Sequence, residues 1–306
     1  MKKTFGLWMI FCSFFVISAE KTVFLNTKEG SLEGTLIYPE EKTSYPLALL
    51  IAGSGPTDRN GNQVNLRNNS LKYLAESLLE NGIAVLRYDK RGIGNSSKAG
   101  LKEEDLRFEH FAMDAKGWID KYKGNKSYSS IVVIGHSEGA QIGLLVAKYS
   151  DKYISLSGIG SSADKILKKQ LSKQPEYVKK PALRMIQELK SGLMIEEVPP
   201  FLNALFRPSV QPYMISWFNN DPLEEIKKLT IPILIINGSN DLQVPVSEAE
   251  LLRDSAKNAQ YFIVPNMNHI LKISSMDAQE NFNTYNNSSL PVSSILVDKV
   301  TKFILE

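Results

Sequence analysis

The sequence predicts an α/β fold: a mostly parallel central sheet, opened by an N-terminal antiparallel hairpin and interrupted late by a helical cap insertion. Three observations carry this. Near-continuous apolar runs recur along the chain, stretches with helical spacing separate them, and the alternation stops between Ser161 and Pro222. Apolar runs of that kind suit parallel strands buried on both faces, and the intervening helices supply the crossovers such strands need.

The elements follow in order. Met1-Lys2-Lys3 precedes an uncharged segment from Thr4 to Ala19, and Ser18-Ala19 offers small residues before Glu20-Lys21. This is the pattern of a signal peptide, too short to span a bilayer comfortably, with an uncleaved anchor as the competing reading. The expected destination is the periplasm or the exterior. Cys12, the one cysteine, lies in this segment after Met9-Ile10-Phe11, without the small residues of a lipoprotein signal. A mature chain would thus carry no disulfide and no thiolate metal ligand. With 36 basic against 33 acidic residues, nothing suggests a nucleic-acid surface.

Thr22 to Asn26 and Ser31 to Tyr38 alternate in polarity around Glu29-Gly30, which reads as a hairpin. The expected buried strands are Pro46 to Ile51, Ile83 to Arg87, Ile131 to Ile134, Tyr153 to Ser157, Ile231 to Ile236 and Gln260 to Val264. Leu71, Leu74, Leu78 and Leu79 define one helix; Phe108, Phe111, Ala115, Trp118, Ile119 and Tyr122 define another. Val292, Ile295, Leu296, Val300, Phe303 and Ile304 share a face of a closing helix. The expected division is a signal peptide over 1–19, a core over 20–160 and 223–306, and a cap over 161–222. The cap's apolar load includes Leu193, Met194, Ile195, Phe201, Phe206, Trp217 and Phe218, expected mainly as cap core, with a minority facing a substrate pocket. Its lysines, Lys165, Lys168, Lys169, Lys173, Lys179 and Lys180 among them, read as a solvated helix face or, alternatively, as an approach to anionic lipid.

The run Ile131 to Gly139 ends in Gly135-His136-Ser137-Glu138-Gly139, a strand breaking through a tight turn into a helix. Such a turn exposes its central side chain at the sheet edge, which makes Ser137 the candidate nucleophile. A serine hydroxyl needs a base in reach and a group to orient that base. Of three histidines, His110 lies within a helix and His136 diverges from Ser137 as its sequence neighbour, so His269, in a loop beyond the last strand, is the candidate base. Asp241, beyond the strand Ile231 to Ile236, is the candidate orienting carboxylate; Asp221, followed by Pro222, is explained by helix capping.

With these residues in place, the chain resembles the α/β-hydrolase superfamily from about Leu47 to its C-terminus. Within it the likeness is to bacterial esterases and serine aminopeptidase-like enzymes with an inserted lid. The blocks Gly53-Ser54-Gly55-Pro56-Thr57-Asp58-Arg59-Asn60-Gly61, Tyr88-Asp89-Lys90-Arg91-Gly92-Ile93-Gly94-Asn95-Ser96, the serine turn and Gly238 to Pro245 carry it. The resemblance implies an oxyanion hole from the backbone N–H groups of Glu138 and Ser54, although this chain has Ala52-Gly53 where many relatives have His-Gly. It implies an acyl-enzyme mechanism on a small ester or short peptide, with no metal or organic cofactor. Carboxylesterase is the leading expectation; an exopeptidase, a thioesterase or acyltransferase, and a ligand-binding protein on the same scaffold are the rivals. Arg59, Phe206 and Trp217 are the candidate substrate contacts, with Arg59 alternatively pinning the oxyanion loop. Asp89 and Arg91 are expected to brace that loop from beneath.

Overall fold

The computed structural model describes residues 18–40, 42–100 and 102–306. The expected signal segment therefore lies outside the described residues as far as residue 17, Cys12 included. Ser18 and Ala19 begin the first strand, β1 (Ser18–Thr27), which pairs antiparallel with β2 (Gly30–Pro39) as the alternating pattern predicts. The chain continues through β3 (Tyr45–Ile51), α1 (Ser70–Glu80), β4 (Ala84–Tyr88), α2 (Phe108–Tyr122) and β5 (Tyr128–His136). Next come α3 (Glu138–Val146), which follows Ser137 directly, and β6 (Lys152–Leu156).

One eight-stranded sheet has the order β1-β2-β4-β3-β5-β6 and then two later strands, β7 (Ile233–Gly238) and β8 (Ala259–Val264). From β4 across to β8 every neighbouring pair is parallel, while β2 joins β4 antiparallel. The expected strands are thus all present. The period of two divides their side chains between two cores. Leu47, Leu49, Ile51 and Leu86 pack under α2 with Phe108 and Trp118. Ala48, Leu50 and Val85 pack on the other face against Leu71, Leu74 and Leu78 of α1 and Val300, Phe303 and Ile304 of the closing helix. Burial of each large aliphatic side chain contributes about 1.5–3 kcal/mol, which is how a chain without described cysteines holds its sheet.

Between β6 and β7 lie α4 (Ala163–Leu171), α5 (Glu176–Lys190), α6 (Asn203–Phe206), α7 (Gln211–Phe218) and α8 (Pro222–Ile226). The apolar load of this insertion is divided rather than pooled. Ile195, Phe206, Met214 and Phe218 are buried, but Leu193, Met194 and Phe201 are exposed, because they sit in the connections around α5 and not on a helix face that meets the sheet. Several of its cations pair locally, Lys168 and Lys190 with Asp164, Lys179 with Glu176 and Arg184 with Glu188. Asp221 caps α8 by accepting from Leu223 N at 2.9 Å. After β7, α9 (Val246–Ser255), β8, α10 (Ala278–Asn283) and α11 (Ser294–Leu305) complete the chain. Ile295 departs from the expected apolar face of α11 and is exposed, whereas Val292, which shares that expected face but lies just before the helix, is buried.

Candidate active site

β5 ends at His136 and α3 begins at Glu138, so a single residue makes the turn. Ser137 takes φ 55°, ψ −121°, a conformation that costs a non-glycine residue about 1–3 kcal/mol. Its surroundings enforce it: Ser137 N donates to Leu156 O at 2.9 Å and Ala140 N donates back to Ser137 O at 2.9 Å. The flanking glycines permit the approach. A Cβ on Gly135 would lie 2.2 Å from Gly139 O, and one on Gly139 would lie 2.3 Å from Ile51 O. The half-buried serine lines a cavity of about 80 Å³ together with Ser54, Gln63, Asn68, His269 and Tyr285.

Asp241 stands just beyond β7. Its Oδ1 accepts from Gln243 N at 2.9 Å and Val244 N at 2.8 Å, and its Oδ2 lies 2.8 Å from His269 Nδ1. Burial pushes this carboxyl up, but the His269 imidazole and the two backbone donors outweigh burial and hold it below the usual carboxylate range. Asp241 is therefore an ionised acceptor, and Nδ1 of His269 carries the proton it receives. His269 follows β8 in a loop fixed from several sides. Its own carbonyl accepts from His136 Nε2 at 2.7 Å, and the preceding Asn268, fully buried, bonds Thr284 Oγ1 at 2.7 Å. With Nδ1 engaged, Nε2 of His269 is left as the acceptor of the ring. No hydrogen bond joins it to Ser137 among the described residues; the two side chains line the same cavity, and such contacts often tighten only when substrate binds. Ser137, Asp241 and His269 thus meet at the carboxyl ends of β5, β7 and β8, the edge where open α/β sheets assemble their sites.

Glu138 and Ser54 flank Ser137 from two segments. The N–H of Glu138 opens α3, where no intrahelical acceptor exists, and Ser54 N donates to no group among the described residues. A Cβ on Gly53 would lie 3.2 Å from Ser137 Cβ, so the loop after β3 lies against the serine. Lys90, a residue with no assigned role in the sequence reading, connects the two segments. Its Nζ donates to Gly53 O at 2.6 Å and to Glu138 Oε1 at 3.0 Å. The available signal was its position directly after β4, at the same sheet edge as the other site residues.

The remaining candidates lie elsewhere. Arg59 pairs with Asp89 Oδ2 at 2.7 Å and Glu33 Oε1 at 2.8 Å, its backbone N–H donates to Asp89 Oδ1, and the residue is 7% exposed. Its guanidinium pins the loop after β3 and is not on the cavity wall, which corrects the substrate-contact expectation in favour of the pinning one. Asp89 does brace that loop, whereas Arg91 turns away to a bidentate pair with Asp114. Phe206 is fully buried inside the insertion, a correction with the same physical cause: its ring fills the packing between the helices. Trp217 lies on α7 and donates Nε1–H to Gln141 Oε1 at 2.7 Å, fastening the insertion to α3 rather than lining the cavity. Gln243 and Tyr285, which do line it and bond each other at 2.8 Å, were not anticipated; Tyr285 comes from a polar loop with no periodic signal. His110 accepts from Arg107 N as part of the start of α2. Among the described residues no group of three or more His, Cys, Asp or Glu is placed to hold a metal ion.

The sheet order, the strained serine between β5 and α3, and the Asp241–His269 pair at the same edge define an α/β hydrolase. Residues 67–223 match the family described as serine aminopeptidase, S33, and the chain belongs to that family. It is 27% identical over 266 residues to Esterase EstD of Thermotoga maritima, a match covering 82% of this chain and 60% of that protein. It is 24% identical over 247 residues to Proline iminopeptidase PfmaB of Pestalotiopsis fici, covering 69% and 83% respectively. Among solved structures, Est1E from Butyrivibrio proteoclasticus with bound ferulic acid superimposes with a TM-score of 0.64 at 17% identity, covering 92% of this chain and 98% of that one. The α/β hydrolase GrgF from Penicillium sp. gives 0.61 at 18% identity, covering 94% and 98%.

Proposed function

We propose that the protein is a serine carboxylesterase acting on small, uncharged esters through an acyl-enzyme. The observation that carries this reading is the 2.8 Å bond from His269 Nδ1 to Asp241, at a cavity whose wall also contains Ser137 in its strained turn. His269 Nε2 takes the Ser137 proton as the hydroxyl attacks the ester carbonyl, and Asp241 stabilises the imidazolium that results. The Ser54 and Glu138 N–H groups receive the developing oxyanion, an interaction for which one donor is typically worth about a hundredfold or more in rate. The imidazolium then protonates the departing alcohol, and water, activated by the same base, releases the acid.

The lining of the cavity favours esters over the peptide substrates of an aminopeptidase. An α-ammonium group bound at the site would need a carboxylate to receive it. Among the described residues no Asp, Glu, Lys or Arg lines the Ser137 cavity, and the nearby Glu138 carboxylate is engaged by Lys90. The hydroxyls and carboxamides of Ser54, Gln63, Asn68 and Tyr285 suit a neutral polar ester. The helices between β6 and β7 act as a lid over this edge, and the leader read in residues 1–19 exports the enzyme to the periplasm or the exterior; N-terminal sequencing of the mature protein checks the latter.

The test is turnover of a chromogenic acetate ester and an aminoacyl amide by wild type and Ser137→Ala, with labelling of Ser137 by a fluorophosphonate. Ester turnover that is lost in a folded Ser137→Ala, with the amide cleaved poorly, is the expected result. Full activity in Ser137→Ala, or preference for the amide, overturns the reading.

A further inference from the structure

Lys90 is 2% exposed, and its three ammonium hydrogens have three partners: Gly53 O at 2.6 Å, Glu138 Oε1 at 3.0 Å, and the face of Phe111, whose centroid lies 5.1 Å away. Glu138 is itself 5% exposed. Withdrawing both charges from water is expensive, and a buried ion pair is often no more stabilising than apolar residues of the same volume. Stability alone is thus a weak reason for placing one here.

The position of the pair gives a stronger reason. Gly53 O belongs to the same peptide unit as Ser54 N. That unit is planar and trans, so its C=O and N–H point in opposite directions. A lysine gripping the carbonyl from the buried side turns the Ser54 N–H the other way, towards the cavity that Gly53, Ser54 and Ser137 line together. The positive charge also polarises the peptide and strengthens its N–H as a donor. The other arm of the same ammonium holds the side chain of Glu138, whose backbone N–H is the second donor. One buried cation therefore sets the register between two donors that lie 84 residues apart, after β3 and after β5.

We infer that Lys90 is a positioning residue for the oxyanion hole, aligning the Ser54 N–H through Gly53 O and the Glu138 N–H through its carboxylate. The inference rests on the serine esterase reading. It also accounts for the missing His-Gly start of the loop: Ala52-Gly53 contributes no side chain to orient the donor, and Lys90 does so from beneath.

The experiment compares wild type, Lys90→Met and the double variant Lys90→Met/Glu138→Met on the chromogenic ester, measuring kcat, KM, inhibition by a boronic acid that mimics the tetrahedral adduct, and thermal unfolding. The double variant replaces the whole ion pair by apolar groups of similar length, so it keeps the fold even where the single variant, with Glu138 left unpaired, does not. Expected is a fall in kcat of about ten- to a hundredfold, a KM within about threefold of wild type, and boronate affinity weakened in proportion to kcat. A folded double variant with wild-type kcat and boronate affinity overturns the inference, as does a loss confined to KM. The two readings fail separately. Absence of Ser137-dependent ester turnover in wild type removes the esterase reading and this one with it, whereas normal wild-type turnover with an unimpaired double variant removes only this one.

Discussion

His136 Nε2 donates to the main-chain carbonyl of His269 at 2.7 Å, so the residue preceding Ser137 holds the backbone of His269. The rings lie 4.9 Å apart, and His136 is 7% exposed. Because a carbonyl only accepts, Nε2 of His136 must carry a proton in the neutral ring. Burial, reinforced by the neighbouring His269, lowers its pKa from 6.5 to about 4.

That shift makes a prediction about stability and pH. The unfolded chain binds a proton at His136 below about pH 6.5, while the folded protein does not until about pH 4, so stability rises with pH across this window. The contribution is complete above about pH 6.5 and is lost as pH falls towards 4, at about 1.4 kcal/mol per unit. Urea unfolding at about pH 7 and about pH 5 should differ by about 2 kcal/mol on this account, and His136→Gln should remove most of that difference while retaining a donor to His269 O. Equal pH slopes in the two proteins would contradict it.

Asp241→Asn should lower kcat by about three to four orders of magnitude while leaving the fold intact. Both backbone donors, Gln243 N and Val244 N, fall on Oδ1, which the amide oxygen can replace. The amide nitrogen then faces His269 Nδ1 and presents a second donor to a donor, forcing the imidazole into the tautomer that cannot accept from Ser137. Steady-state kinetics with circular dichroism decide this; a loss of less than tenfold would show that the carboxylate does not set the tautomer.

Arg59→Met should act on stability and not on substrate affinity. It leaves Asp89 without its buried cation, a loss on the order of 3–5 kcal/mol, and releases the loop after β3 from β2 and β4. Denaturant midpoints should fall sharply while KM, measured where the variant remains folded, stays near the wild-type value. A raised KM at unchanged stability would return Arg59 to the substrate.

The parts of this structure visible in the amino-acid pattern are those set by local periodicity. Apolar runs such as Ile131 to Ile134 place the strands, and Leu71, Leu74 and Leu78 place α1, because burial on a face of known repeat determines both. Ser137 was legible because its turn imposes glycine on both sides. The charged framework was not. Arg59 meets Glu33 and Asp89 only because β4 lies between β2 and β3, and Lys90 meets Gly53 and Glu138 for the same reason. Those partnerships depend on which strands become neighbours, a long-range outcome that no spacing records. Leu193, Met194 and Phe201 illustrate the converse: their composition resembles core, but the connections that carry them face water.

The helical excursion departs after Leu156 and rejoins the sheet at Ile233, while β6 and β7 stay hydrogen-bonded to each other. Its length and surface can therefore change over evolutionary time without altering the register of the strands that present Ser137, Asp241 and His269. The sheet edge that carries the three side chains and the excursion beside it thus occupy separable stretches of the gene, and one can be remodelled while the other keeps its geometry.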